Sequence, residues 1–96
     1  MQIVKEALAG TYESSDLMVK IAPASELEIV IHSEVMPQFG EQISLVVRET
    51  LRAMGVHQGC VVVEDKGALD CVIRARLQSA VLRAAEEQVI DWSMME

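Results

Sequence analysis

The sequence predicts an α+β domain: a small mixed β-sheet carrying two helices, in the order β-β-β-α-β-α. Three observations predict it. Two stretches alternate with period 2, placing Leu17, Val19 and Ile21, then Leu27, Ile29 and Ile31, on one face of a strand. Two longer stretches repeat apolar residues every three or four positions, as amphipathic helices do. Between those helices lies Cys60-Val61-Val62-Val63, an apolar and mostly β-branched run suited to a strand. The 96 residues suffice for one core and leave no room for a second. One domain over 1–96 is expected.

Residues Ala7 to Glu13 read as the first strand, weakened by Gly10. Ser14, Ser15 and Asp16 make a polar break before the second strand starts at Leu17, so the pair is expected to form a hairpin with its tip at Glu13 to Asp16. Serine and aspartate suit such a tip because their side-chain oxygens satisfy turn backbone. Pro23, Ala24 and Ser25 break the chain again before the third strand. The connection is short, which favours an antiparallel neighbour.

The first helix is marked by Val35, Phe39, Ile43, Val46, Val47 and Leu51. Ser33 is a candidate N-cap, Pro37 is awkward unless it lies in the first turn, so the start is expected at Ser33 or Met36, and Gly55 is the expected stop. The run at Cys60 lacks alternation, so the fourth strand is expected to be interior and buried on both faces. Asp65, Lys66 and Gly67 turn the chain into a helix from Leu69 to Glu87, with Leu69, Val72, Ile73, Ala80, Val81 and Ala84 as its buried stripe and Asp65 or Asp70 as cap. The two helices are expected to cover one face of the sheet. The tail from 88 to 96 has no period and is expected to fray, with Trp92 a candidate to pack back.

Composition narrows the function. The net charge of -7 opposes nucleic acid and anionic membranes, and suits docking on basic surfaces of larger partners. Cys60, Cys71, His32 and His57 have no metal-ligand spacing. The cysteines read as buried thiols, the histidines as surface residues, and Met18, Met36 and Met54 as core fillers. No Gly-rich phosphate loop, H-E-x-x-H or G-x-S-x-G occurs, so independent catalysis is not expected. Arg74, Arg76 and Arg83 read as a solvated helix face paired with Glu86 and Glu87, or alternatively as phosphate or partner contacts. The N-terminus lacks a basic stretch leading into an apolar run, so the cytoplasm is the expected compartment.

Two separated motifs carry a resemblance. Ala9-Gly10-Thr11-Tyr12-Glu13-Ser14-Ser15-Asp16 and Asp65-Lys66-Gly67-Ala68-Leu69-Asp70-Cys71, followed by Arg74-Ala75-Arg76-Leu77, resemble the signatures of citrate lyase acyl carrier proteins, the gamma subunits of that complex. Ala22-Pro23 and the stretch from Gln38 to Gly40 also fit, and the resemblance spans essentially the whole chain.

The resemblance implies that Ser14 carries a covalent prosthetic group, 2'-(5''-phosphoribosyl)-3'-dephospho-CoA, joined through a phosphodiester, which makes the carrier a phosphoprotein. It implies a non-catalytic carrier of citrate fermentation. The thiol of the arm would hold an acetyl thioester, one large subunit (alpha or beta) would exchange acetate for citrate, and the other would cleave the carbon–carbon bond to release oxaloacetate. Further implied partners are the prosthetic-group transferase and the acetylating ligase, with Glu13 and Asp16 expected to help the transferase recognise the turn. The fatty-acid carriers differ: they place Asp-Ser-Leu at a helix start, whereas here Ser15-Asp16-Leu17 runs into a period-2 strand. Two alternatives stand beside this reading: the acyl carrier of malonate decarboxylase, and an unmodified α/β regulatory or scaffold module.

Overall fold

The computed structural model describes residues 1–34 and 40–85. Its elements are β1 (Ala7–Gly10), β2 (Leu17–Ala22), β3 (Leu27–Ser33), α1 (Gly40–Ala53), β4 (Gly59–Asp65) and α2 (Asp70–Ala85). The β-β-β-α-β-α order and the mixed sheet match the expectation from sequence. The spatial order is β1-β2-β4-β3. β1 and β2 form an antiparallel hairpin that closes at Gly10 opposite Met18. β4 runs antiparallel to β2, with Leu17 opposite Asp65, and parallel to β3, which it reaches through α1.

Alternation in β2 buries Leu17, Val19 and Ile21 completely or nearly so. Val61 and Val63 of β4 sit on the same face, and α1 and α2 lie over it. From α1 come Ile43, Val46, Val47 and Leu51; from α2 come Ile73, Leu77, Ala80, Val81 and Ala84. α2 packs on β1 and β2, while α1 packs on β3 and α2. α1 ends in a paired cap: Val56 donates its N–H to the Leu51 carbonyl at 2.9 Å and Gly55 to Arg52 at 3.1 Å. Gly55 has φ +71°, the left-handed value this cap needs and glycine adopts without a Cβ penalty.

Several expectations need correction. β3 does run opposite to β2, but β4 lies between them, so the short Pro23–Glu26 connection does not join neighbours. β4 is interior yet buried on one face only, because both helices lie on the Val61–Val63 side and leave Cys60, Val62 and Glu64 half-buried on the other. Ser33 ends β3 and so cannot cap α1, which begins at Gly40. Leu69 precedes α2 and is exposed, while Leu77 joins the stripe in its place. Cys71 is exposed and Cys60 half-buried. Val35, Met36, Pro37, Phe39, Trp92 and the 88–96 tail lie outside the described residues.

Candidate functional site

The hairpin tip is a built structure. At its base, Thr11 donates its N–H to the Leu17 carbonyl at 3.2 Å. Gly10 has φ +106°, and a Cβ there would stand 1.9 Å from the Leu17 carbonyl oxygen, so only glycine lets the strands close here. Beyond it, Asp16 donates its N–H to the Glu13 carbonyl at 3.2 Å, closing a four-residue turn with Ser14 and Ser15 at its centre. Ser15 has φ +65° and Ser14 does not share this left-handed φ, the sign pattern of a type II turn. Ser14 and Ser15 are both exposed, and no other described residue bonds the Ser14 hydroxyl. The Ser15 backbone is held: its N–H donates to the Lys66 carbonyl at 2.9 Å.

Asp16 anchors the turn. Its carboxylate accepts from the Thr11 hydroxyl at 2.7 Å, from its neighbour Leu17 N–H at 2.8 Å, and from Arg76 Nε and Nη2 at 3.1 and 2.8 Å. The Asp16 side chain is only 13% exposed and that of Arg76 40%. The Arg76 guanidinium, donating into it, and the Thr11 hydroxyl hold the Asp16 carboxyl at about 2, below its ordinary 3.8, against the opposing effect of burial. The Thr11 hydroxyl also accepts the Glu13 N–H at 3.2 Å, so one threonine ties both sides of the turn.

The second motif supplies the other wall. Because β2 and β4 pair antiparallel with Leu17 opposite Asp65, the loop after β4 lies against the hairpin tip. Lys66 donates its N–H to the Asp16 carbonyl at 2.9 Å, reciprocating the Ser15 bond. Asp65 is buried; it accepts from the Ser33 hydroxyl at 3.0 Å and from the Ala68 N–H at 2.9 Å, which shapes the entry to α2. The Lys66 ammonium pairs with Glu34 at the end of β3.

Comparisons with known proteins bear on this arrangement. The chain is 79% identical to the citrate lyase acyl carrier protein of Enterobacter sp. (strain 638), over 99% of both chains. It is 70% identical to that of Cronobacter sakazakii over the full length of both, and 66% identical to that of Pectobacterium carotovorum over 99% of this chain and all of the other. The chain belongs to the citrate lyase acyl carrier protein family. It is thus a carrier subunit and not itself a catalyst. A family model described as "Malonate decarboxylase delta subunit (MdcD)" also matches this carrier over residues 4–84. In fold, the carrier resembles a chain in the crystal structure of a Pseudomonas malonate decarboxylase hetero-tetramer in complex with malonate. The TM-score is 0.74 at 21% identity, covering 85% of this chain and 86% of the other.

The two motifs of the carrier, distant in sequence, meet at one end of the sheet. Ser14 stands exposed on the turn, Glu13 is exposed beside it, and Asp16 faces inward with its carboxylate committed to four donors. Arg76, read from sequence as one of a solvated row, instead crosses to the turn. Arg74 is exposed, Arg83 donates to the Leu8 carbonyl on β1, and Glu86 and Glu87 lie outside the described residues. His32 and His57 are exposed, as expected. Sequence reasoning missed Thr11 and the inward role of Asp16, since a single threonine in a polar tip carries no pattern of its own.

Proposed function

We propose that this chain is the acyl carrier subunit of a citrate lyase, and that the Ser14 oxygen is where 2'-(5''-phosphoribosyl)-3'-dephospho-CoA is joined through a phosphodiester. The observation that carries the reading is the contrast within the turn. Ser14 projects from its tip with a hydroxyl bonded to no other described residue, while the Ser15 backbone is pinned to Lys66. An exposed hydroxyl on a fixed backbone fits a bulky phosphodiester without any rearrangement of the fold.

When bound, the group supplies a terminal thiol through which acetyl and citryl groups are carried between the alpha and beta subunits. Ser14 acts as an anchor, neither nucleophile nor base in the cleavage. Thr11, Asp16 and Arg76 hold the anchor so that the sweep of the arm starts from a defined point. Tethering makes each encounter intramolecular, with effective concentrations on the order of millimolar for a flexible link. The acidic surface suits docking to basic faces of the large subunits, of the transferase that attaches the arm and of the acetylating ligase, in the cytoplasm. Identities of 66–79% with citrate lyase carriers support citrate over malonate as the substrate served, since the likeness to the solved malonate decarboxylase chain, at 21% identity, speaks to fold alone.

Intact-mass measurement of the chain coexpressed with the attachment enzymes tests this. The parent chain and Ser15→Ala gain the mass of the arm, and Ser14→Ala does not. A Ser14→Ala chain that still gains it sinks the assignment.

A further inference from the structure

Leu69 breaks a local rule. It occupies the position before α2, where its carbonyl accepts the N–H groups of Val72 at 2.9 Å and Ile73 at 3.0 Å. That cap position favours Ser, Thr, Asp or Asn, whose side-chain oxygen takes a further amide; leucine offers none. The residue is also 71% exposed, so no burial within the described fold repays the choice. Places where a chain violates local preference without packing gain point to function.

Tyr12 is the companion. It lies on the turn just before Glu13 and Ser14 and is 51% exposed. The reciprocal Ser15–Lys66 and Lys66–Asp16 bonds tie its loop to the one that carries Leu69. Two apolar side chains from distant segments therefore stand at the end of the molecule that presents Ser14. Carboxylates lie on the neighbouring elements: Glu13 is exposed on the turn, Glu34 is exposed and pairs with Lys66, Glu41 is exposed on the first turn of α1, and Asp70 is held beside α1 by Gln42 at 3.2 Å.

We propose that Leu69 and Tyr12 form the docking contact by which the carrier seats its Ser14 end on the catalytic subunit that receives its arm. The matching surface is an apolar cleft ringed by Lys and Arg. This rests on reading Ser14 as the attachment point. Charge complementarity sets the ring: a chain of net charge -7 with carboxylates on the elements beside the contact is steered to, and held by, basic groups. Permanence sets the choice of partner. Bare apolar side chains are a liability for a free chain, and obligate interfaces are the more hydrophobic class. A resident subunit keeps them covered, whereas an enzyme that visits once leaves them bare.

The test uses the full-length, arm-free carrier and the purified large subunits of the lyase, so that binding does not depend on modification. Leu69→Ser and Tyr12→Ser are each expected to weaken the Kd about tenfold, and the double variant more, as central apolar anchors do. Thermal melting of Tyr12→Ser stays at the parent value because that residue is exposed, Leu69→Ser melts at or above it because serine caps α2, and added salt weakens binding of the parent chain. An unchanged Kd in the double variant overturns the proposal. So does a lowered melting temperature for Leu69→Ser, which places that side chain inside the fold. Slowed arm attachment with unchanged Kd assigns the surface to the attachment enzyme, and overturns it too. Failure of the Ser14 reading shows separately, as a Ser14→Ala chain that still gains the arm.

Discussion

Two loops flank β2, and they are built differently. The Pro23–Glu26 connection at one end is held by a Gln58 side chain on the Ser25 carbonyl at 3.1 Å and by the Gly59 N–H on Glu26, also at 3.1 Å. The Thr11–Asp16 loop at the other end carries an ion pair to α2, a reciprocal backbone bridge to Lys66, a threonine bonded both ways and a left-handed serine. Both are exposed polar breaks between strands, and either would serve to turn the chain. The second is braced far beyond that need. Bracing of this kind costs ordering entropy and some backbone strain, and it is the expected mark of a loop that must present one group at one place.

The sharpest way to break the contrast is Gly10→Ala. The new Cβ collides with the Leu17 carbonyl, and the backbone keeps its positive φ. Strain and overpacking together should cost about 3 kcal/mol or more, read as a fall in the urea midpoint. Arg76→Met should cost about 1–2 kcal/mol by removing the charged donor from a mostly buried carboxylate, with solvent at the half-exposed arginine limiting the loss. Its mirror in the other loop, Gln58→Ala, should change stability by less than about 0.5 kcal/mol. Equal losses from the two would erase the distinction between the loops.

How far the sequence announced this contrast differs from residue to residue. Alternation placed β2 and its buried face correctly, and the polar run Glu13 to Asp16 placed the tip, because both signals are local. Gly55 marked the stop of α1 for the same reason. The bracing was illegible because its partners lie far off in the chain. Arg76 meets Asp16 across 60 positions, and no helix periodicity distinguishes an arginine aimed at a hairpin from one in water. The insertion of β4 between β2 and β3 was hidden likewise, since strand adjacency depends on which edges pair and not on the pattern within a strand. β4 read as buried on both faces because valine suits a strand interior whether or not its second face is covered.

Acid should sharpen the contrast. The Asp16 carboxyl is depressed in the folded chain, so its stabilisation is fully present above its ordinary value of 3.8. It is lost as pH falls from there through about 2, where protonation weakens the Arg76 pair. Urea midpoints across that window should fall less steeply in Asp16→Asn than in the parent chain. Identical slopes would mean that the pair contributes nothing. A small effect of the opposite sign is expected from Ser15→Gly, which relieves a left-handed L-residue but frees the unfolded chain; a net gain below about 1 kcal/mol is expected. A loss larger than that would show that the Ser15 side chain, and not only its backbone, supports the turn.

The assignment of Ser14 as anchor is tested most directly by fragmenting the peptide that spans residues 9–17 of the carrier, taken from a host that holds the attachment enzymes. The mass of the arm should fall on Ser14, with Ser15 bare. The arm found on Ser15, or absent from a carrier isolated in active lyase, would contradict it.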